Sequence, residues 1–265
     1  MAQIATRQGR IGVDERGGGG AAPLVFLHGV GSDKSAWAPQ LAAFGTSRRT
    51  IALDYPGYGE SDVARPADGD AHDRFADAVL AALDALGVER MHLCGLSLGG
   101  VVGIAVAHRA PERLSSLIVA DSFARHPQGE QILARSIAAS TDMRALAKAR
   151  VPALLASPCD PVLAAALTDV MAGIDPAAFR LASSAVWPAD QRARARAITA
   201  PTLILFGRED QVTPPALSAE LADLIPGARL HGIAGAGHLP NLEQACAFNA
   251  LLGQFLAEIE ADHAG

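Results

Sequence analysis

The sequence is poor in the features that build disulfide-rich, metal-binding or membrane proteins. Only 3 of its 265 residues are cysteine, and they are too few and too scattered for a disulfide framework or a zinc site. No segment approaches the ~18 continuous apolar residues of a membrane span. The N-terminus also lacks the apolar run of a signal peptide. These absences predict a protein of the reducing cytoplasm with no metal and no membrane partner.

Positive charge is also scarce. The 22 Lys and Arg are outnumbered by 28 Asp and Glu, and the formal net charge is −6. A partner such as nucleic acid or an anionic membrane would require a basic face, so the composition predicts no nucleic-acid partner. No internal repeat is evident, and the sequence leaves open whether the chain forms a homodimer.

What the sequence does contain is an alternation of short apolar runs and helical segments. Half of its residues are hydrophobic, which is enough to bury one large core. This alternation predicts the α/β class, with a mostly parallel twisted sheet and helices on both faces. Active sites in such sheets lie at the carboxyl ends of the strands. That rule places His28, Asp54, Ser97 and Asp121 on one rim.

The pattern changes between residues 123 and 197. Strand-like runs disappear there, and Asp160-Pro161 and Asp175-Pro176 are helix-start signals, each an N-cap acid followed by a first-turn proline. We therefore predict a helical cap, or lid, at 123–197, inserted into a core formed by 1–122 and 198–265. Long insertions at functional edges usually shape binding, and a helical excursion with no part in the site is the alternative.

The strongest chemical signal is the stretch Gly95-Leu96-Ser97-Leu98-Gly99, which joins an apolar run, Met91 to Cys94, to a helical segment. A strand that turns into a helix within one residue holds that residue in a strained conformation and points its side chain outward. Glycines two positions before and after it leave room for the crowded backbone. Ser97 is thus the candidate nucleophile. The alternative is a glycine-rich turn whose serine caps the helix.

A serine nucleophile needs an imidazole to take its proton, and that imidazole needs a carboxylate to fix its tautomer. Asp210 follows a buried strand and His238 lies in a glycine-rich loop after the last one, so both can reach the rim that carries Ser97. Asp121, at the end of the preceding strand, is the rival acid, and Asp210 could otherwise be a solvated loop acid or a helix cap. The position of His28 suits a loop brace better than a general base.

The negative oxygen of a tetrahedral intermediate needs two hydrogen-bond donors already in place. The backbone N–H of Leu98, directly after the candidate nucleophile, is the first predicted donor. The backbone N–H of Val30, just after His28-Gly29, is the second. Because both donors are backbone groups, their geometry matters more than the identity of either side chain.

Together these pieces resemble the α/β-hydrolase superfamily over nearly the whole chain. The matching pieces are His28-Gly29, Asp54 to Ser61, the stretch around Ser97, Gly207 to Pro214 and Gly237-His238. Three runs are similar to 3-oxoadipate enol-lactonases, and small carboxylesterases share most of them: residues 31–40, 94–100 and 238–244. Pro56 and Tyr58 stand where those lactonases usually carry arginine and histidine. The resemblance implies the α/β-hydrolase fold and hydrolysis without a metal or organic cofactor.

We therefore expect a serine hydrolase that cleaves a small-molecule ester or lactone through an acyl-enzyme. Trp37 and Trp187 are predicted to line the acyl pocket, with a core role as the alternative for each. The same triad supports two other reactions, hydrolysis of a carbon–carbon bond in vinylogous diketones and cofactor-free perhydrolysis. A ligand-binding receptor that keeps the triad but turns over slowly is the alternative from another class.

Overall fold

An eight-stranded sheet runs through the part of the chain that the computed structural model describes, residues 2–63 and 70–264. Its strands are β1 (Ala2–Thr6), β2 (Gly9–Arg16), β3 (Leu24–Leu27), β4 (Thr50–Leu53), β5 (Met91–Leu96), β6 (Leu114–Ala120), β7 (Thr202–Gly207) and β8 (Arg229–Ile233). Their spatial order is β1-β2-β4-β3-β5-β6-β7-β8. The first two pairings, β1 with β2 and β2 with β4, are antiparallel, and all the others are parallel. The predicted mostly parallel sheet is confirmed.

The central strands read as continuous apolar runs because both of their faces are covered. Every residue of β3 is 0% exposed, and β4 and β5 are buried throughout. The register brings their carboxyl ends level, since Leu27 pairs with both Leu53 and Gly95. The residues that follow these strands therefore meet at one edge of the sheet.

Helices flank the sheet and also fill the interval between β6 and β7. They are α1 (Ala38–Phe44), α2 (Ala71–Ala85), α3 (Leu98–Arg109), α4 (Gly129–Ala139), α5 (Met143–Leu154), α6 (Pro161–Ala172), α7 (Pro176–Val186), α8 (Arg192–Arg196), α9 (Pro215–Leu224), α10 (Pro240–Glu243) and α11 (Ala245–Ala264). Helix α2 packs against α3, and α1 packs against α11. Within the described residues, no single helix is both long and apolar enough to cross a membrane, and α6 with α7 meets that test only as a pair bent by 102°.

Helices α4 to α8 occupy the interval in which the sequence predicts a cap. The two predicted helix starts are confirmed: Asp160 Oδ1 accepts a hydrogen bond from the N–H of Val162 at 2.8 Å, and Asp175 Oδ1 accepts one from the N–H of Ala177 at 2.8 Å. Each acid thus satisfies an N–H that has no acceptor inside its helix. Helix α7 also packs against α2 and α3. These contacts join the inserted helices to the rest of the protein.

Candidate active site

Ser97 lies at a tight turn between β5 and α3. Its φ of 54° is in the left-handed region that residues with a side chain rarely adopt, and the residue is 3% exposed. The flanking glycines are required because the backbone is crowded: a Cβ on Gly95 would overlap the Gly99 carbonyl, and one on Gly99 would overlap the Leu27 carbonyl. The Ser122 hydroxyl donates to the Ser97 carbonyl at 2.7 Å. This turn directs a strained serine toward the edge of the sheet.

His238 and Asp210 are joined by a buried hydrogen bond. His238 Nδ1 lies 2.8 Å from Asp210 Oδ2, and both residues are 4% exposed. Burial acts to raise the pKa of Asp210, but the charge and hydrogen bond of His238 and the hydrogen bonds of Thr213 outweigh it and lower that pKa. Because Nδ1 faces a carboxylate, it is assigned the proton, which leaves Nε2 free to accept one.

The structure brings the predicted serine and histidine to one cavity, hereafter the Ser97 cavity. Ser97, Val30 and His238 line it on the side of the sheet, and Leu154 and Trp187 line it on the side of the inserted helices. The imidazole held by Asp210 therefore borders the same space as the candidate nucleophile.

The rival acid, Asp121, lies beside Asp210 rather than in its place. It is 0% exposed with a φ of 43°, and its Oδ1 accepts a hydrogen bond from the Gly207 N–H at 2.8 Å. One ligand atom each of Asp121, Asp210 and His238 falls within 4.8 Å of the others. Burial, then the charge of Asp210, raise the pKa of Asp121 well above its ordinary value. Asp121 is thus the member of the carboxyl pair that binds a proton more firmly.

The two predicted oxyanion donors also lie at this edge. Leu98 is the first residue of α3, so its N–H has no acceptor within the helix. Val30 lies in the loop after β3, is 6% exposed and lines the Ser97 cavity. The N-terminus of a helix carries partial positive charge, which suits an oxygen that becomes negative.

Two aromatic residues and a histidine brace the loop that carries Val30. The Tyr58 hydroxyl donates to the Val30 carbonyl at 2.9 Å. His28 Nδ1 lies 2.8 Å from the Gly29 carbonyl, and His28 Nε2 accepts from the Tyr55 N–H at 3.3 Å. Burial lowers the pKa of His28, in keeping with a neutral ring that donates on one side and accepts on the other. The structure gives His28 a bracing role.

We predict that Tyr58→Phe lowers kcat for the expected ester hydrolysis about 5- to 10-fold, because the Val30 carbonyl loses the hydrogen bond that fixes the peptide group next to the Val30 N–H. The KM should change little, since the hydroxyl binds the protein rather than the substrate. Tyr55→Phe is the matched control: it removes a buried hydroxyl that has no hydrogen-bond partner among the described residues. Equal kcat values for the two variants would contradict the bracing role of Tyr58.

The sequence profile of the α/β hydrolase family matches residues 24–251. The chain belongs to this family. Its relatives include 2-hydroxymuconate semialdehyde hydrolase of Pseudomonas sp. (strain CF600), 34% identical over 92% of this chain and 89% of that protein. Another is pimeloyl-[acyl-carrier protein] methyl ester esterase of Neisseria meningitidis, 31% identical over 91% of this chain and 79% of that protein. The crystal structure of the enol-lactonase from Burkholderia xenovorans LB400 superposes with a TM-score of 0.88, at 29% identity, covering 97% of this chain and 100% of that one.

These comparisons confirm the resemblance to α/β hydrolases with enol-lactonase-like members, and the protein is a hydrolase. The fold prediction is confirmed with it. The family match begins at β3 and ends within α11, so it spans both the sheet and the helices inserted between β6 and β7.

The Ser97 cavity of this α/β hydrolase is mostly apolar. Trp187 lines it as predicted. The prediction for Trp37 is wrong. That ring is 0% exposed and stacks on Phe26 with centroids 4.7 Å apart, and the Phe248 ring lies 6.1 Å from it. Trp37 ends the short 3-10 helix Lys34–Trp37 between β3 and α1, and its side chain packs in the core.

Arg150, which lines the Ser97 cavity from α5, was not predicted from the sequence. The signal was present in the helical spacing. Leu146, Val151 and Leu154 are buried, and Arg150 lies four residues after the first and four before the last. An arginine on the apolar stripe of a helix is unusual, because such a position points a cation inward.

Hydrogen bonds that the sequence does not predict join the loop of His238 to the inserted helices. The His238 N–H donates to the Leu154 carbonyl at 2.7 Å. Glu243 accepts hydrogen bonds from the N–H groups of Ala156 at 2.6 Å and Gly237 at 2.9 Å. The candidate base is thus held in position by the end of α5 as well as by the sheet.

Proposed function

We propose that this hydrolase cleaves a small carboxylic ester or lactone through an acyl-enzyme formed on Ser97. The observation that carries the proposal is the arrangement at one cavity. A serine with strained backbone borders the same space as His238, and His238 bonds to Asp210 at 2.8 Å. This arrangement of nucleophile, base and orienting acid is the one that acyl transfer requires.

In the proposed reaction, His238 Nε2 takes the proton of the Ser97 hydroxyl as its oxygen attacks the ester carbonyl. The carbonyl oxygen becomes negative and accepts hydrogen bonds from the N–H groups of Val30 and Leu98. The protonated imidazole, stabilised by Asp210, then gives its proton to the departing alcohol oxygen. Water repeats the sequence on the acyl-enzyme: it loses a proton to His238, attacks the acyl carbon and releases the acid, while the proton returns to Ser97.

A fluorophosphonate probe tests the assignment of Ser97. The wild-type protein is expected to be labelled on Ser97, and Ser97→Ala is expected to lose both the label and ester turnover. Ser32→Ala is the matched control, because Ser32 is the other serine that lines the Ser97 cavity. The position of the label is read by peptide mass spectrometry. Labelling that persists in Ser97→Ala would refute the proposed nucleophile.

A second candidate function is hydrolysis of a carbon–carbon bond in a vinylogous diketone by the same residues. It is favoured by the 34% identity to 2-hydroxymuconate semialdehyde hydrolase, whose name specifies a semialdehyde rather than an ester. Turnover separates the two candidates. The measurement is kcat/KM for a vinylogous diketone and for a panel of short esters and lactones. If the diketone gives a higher kcat/KM than every ester and lactone, the second candidate function replaces the first.

A further inference from the structure

Arg150 places a positive charge at the Ser97 cavity. It lies on α5, and its guanidinium carbon is 5.8 Å from the centre of the Trp187 ring and 5.9 Å from that of Phe179. Its Nη1 donates one hydrogen bond, to the Ser136 hydroxyl at 3.3 Å. The guanidinium carbon lies over both rings, and Arg150 lines the adjoining cleft with Ser136 as well as the Ser97 cavity. With one of its five N–H donors bonded within the described residues, the group keeps donors for a ligand.

No acid of the described residues neutralises Arg150. The residues that line the Ser97 cavity include neither aspartate nor glutamate. Burial lowers the pKa of Arg150, and the group that opposes this effect is Tyr58, which is not a carboxylate. An arginine stays charged under these conditions, so the resting protein bears the cost of a partly desolvated cation without a partner.

Lys34, which is buried, provides a contrast with the half-buried Arg150. Lys34 Nζ lies 2.8 Å from Asp54 Oδ2 and 3.1 Å from Glu60 Oε2. This structural cation is therefore paired with two carboxylates, whereas Arg150 is paired with none in the described part of the chain. A second unused donor lies next to Arg150. The Trp187 indole N–H is buried and has no hydrogen-bond partner among the described residues. The Arg150 guanidinium and the Trp187 indole therefore both carry N–H donors without an acceptor among the described residues that line the Ser97 cavity.

We propose that Arg150 binds a carboxylate that the substrate carries in addition to its scissile ester or lactone. The inference rests on the proposed function and narrows its substrate class to anionic esters, such as monoesters of dicarboxylic acids or lactones with a carboxylate side chain. A carboxylate matches the guanidinium fork and would supply the missing charge. Its binding would hold the scissile carbonyl at a fixed distance from Arg150 and so over Ser97.

The wild-type protein tests this with pairs of esters that differ in one group. Monomethyl esters of succinic, glutaric and adipic acid are compared with analogues in which the free carboxylate is a carboxamide of the same shape. At one chain length, kcat/KM for the carboxylate is expected to exceed that of the amide by about 10- to 100-fold. Equal values, or preference for the amide, at all three lengths would overturn the proposal.

Arginine variants show whether Arg150 causes the preference for the carboxylate ester. Arg150→Gln should bring the carboxylate-to-amide ratio close to 1, whereas Arg150→Lys should keep an intermediate preference because it retains the charge without the fork. Arg135→Gln is the control, because Arg135 is exposed in the adjoining cleft and carries the same charge without lining the Ser97 cavity. If Arg135→Gln lowers the ratio as much as Arg150→Gln does, long-range charge explains the preference and the inference fails.

Binding to Ser97→Ala separates this inference from the proposed function. Calorimetry with the same ester pairs reports recognition even where nothing is hydrolysed. Tighter binding of the carboxylate to Ser97→Ala, lost when Arg150→Gln is added, supports the inference whether or not Ser97 proves to be the nucleophile. If the wild-type protein turns over none of these esters while this binding preference is intact, the result counts against the proposed function alone. Binding without preference overturns the inference alone.

Discussion

Asp210→Asn is expected to lower kcat for a short ester by about 10⁴-fold, whereas Asp121→Asn should lower it by less than about 5-fold. The two carboxyl groups are both buried, and both lie within reach of His238. Their positions after β7 and β6 make both of them candidate acids in the sequence and do not separate their roles. The same chemical change at each therefore tests which one is the functional acid.

The two variants are expected to differ because Asp210 and Asp121 differ in how firmly each binds a proton. Asp210 accepts a hydrogen bond from His238 Nδ1, and an asparagine there can present its NH₂ group and stabilise the wrong tautomer of the imidazole. Burial, then the charge of Asp210, raise the pKa of Asp121, which favours its uncharged form. An asparagine at 121 keeps an oxygen for the Gly207 N–H and offers an N–H donor to Asp210.

Steady-state kinetics on an ester such as p-nitrophenyl acetate measures both variants, with thermal melting to show that each is folded. A large loss in Asp121→Asn with activity retained in Asp210→Asn would reverse the assignment of the acid. Loss of similar size in both would mean that the pair acts as one unit, with the shared proton essential to turnover.

The dependence of stability on pH gives a second readout for the same pair. The pKa of Asp121 is raised in the folded state, so the unfolded chain loses this proton at a lower pH than the folded protein does. As the pH rises above about 4, ionisation of Asp121 therefore favours the unfolded state and lowers the free energy of unfolding. Asp121→Asn removes that effect. Its free energy of unfolding relative to wild type should therefore rise from about pH 4.5 to about pH 6.5, measured by urea denaturation. A difference that is constant over this range would argue against a raised pKa.

The parts of the site that could be predicted are those fixed by local sequence and by strand ends. The glycines around Ser97 predict the strained turn because the backbone there leaves no space for a Cβ. Asp210 and His238 each follow a strand, and parallel strands deliver such residues to one edge of the sheet. Neither inference needs knowledge of side-chain packing.

What could not be predicted depends on packing between distant segments. Trp37 and Trp187 look alike in the sequence, yet the first packs on Phe26 in the core and the second lines the Ser97 cavity. The raised pKa of Asp121 depends first on its burial and then on its distance from Asp210, which the pairing of β6 with β7 sets. The exposure of Arg150 to the cavity likewise depends on how the inserted helices sit over the sheet.

Lys34→Met is expected to destabilise the folded protein by about 3–5 kcal/mol, although Lys34 takes no part in the proposed chemistry. The side chain is 6% exposed and its ammonium lies 2.8 Å from the fully buried carboxylate of Asp54. Burial acts to lower the pKa of Lys34, but the hydrogen bond and charge of Asp54, with those of Glu60, raise it. The ammonium thus binds its proton firmly, and the pair is present at neutral pH.

Methionine fills most of the volume of lysine, so the expected loss comes from charge rather than from a cavity. The Asp54 carboxylate would keep the N–H groups of Lys34 and Glu60 at 2.8 and 3.0 Å, but it would remain buried without a cation. Lys148→Met is the matched control, because Lys148 is the other lysine of the chain and is exposed on α5, where the change should cost less than about 0.5 kcal/mol.

Urea denaturation measures the free energy of unfolding for both lysine variants. The double variant Lys34→Met with Asp54→Asn should recover much of the lost stability, because it removes the stranded negative charge together with its partner. If Lys34→Met and Lys148→Met differ by less than about 1 kcal/mol, the ion pair does not hold the loop that follows β3. Since that loop carries Val30, the same variants also show whether the candidate oxyanion donor depends on a charge pair buried behind it.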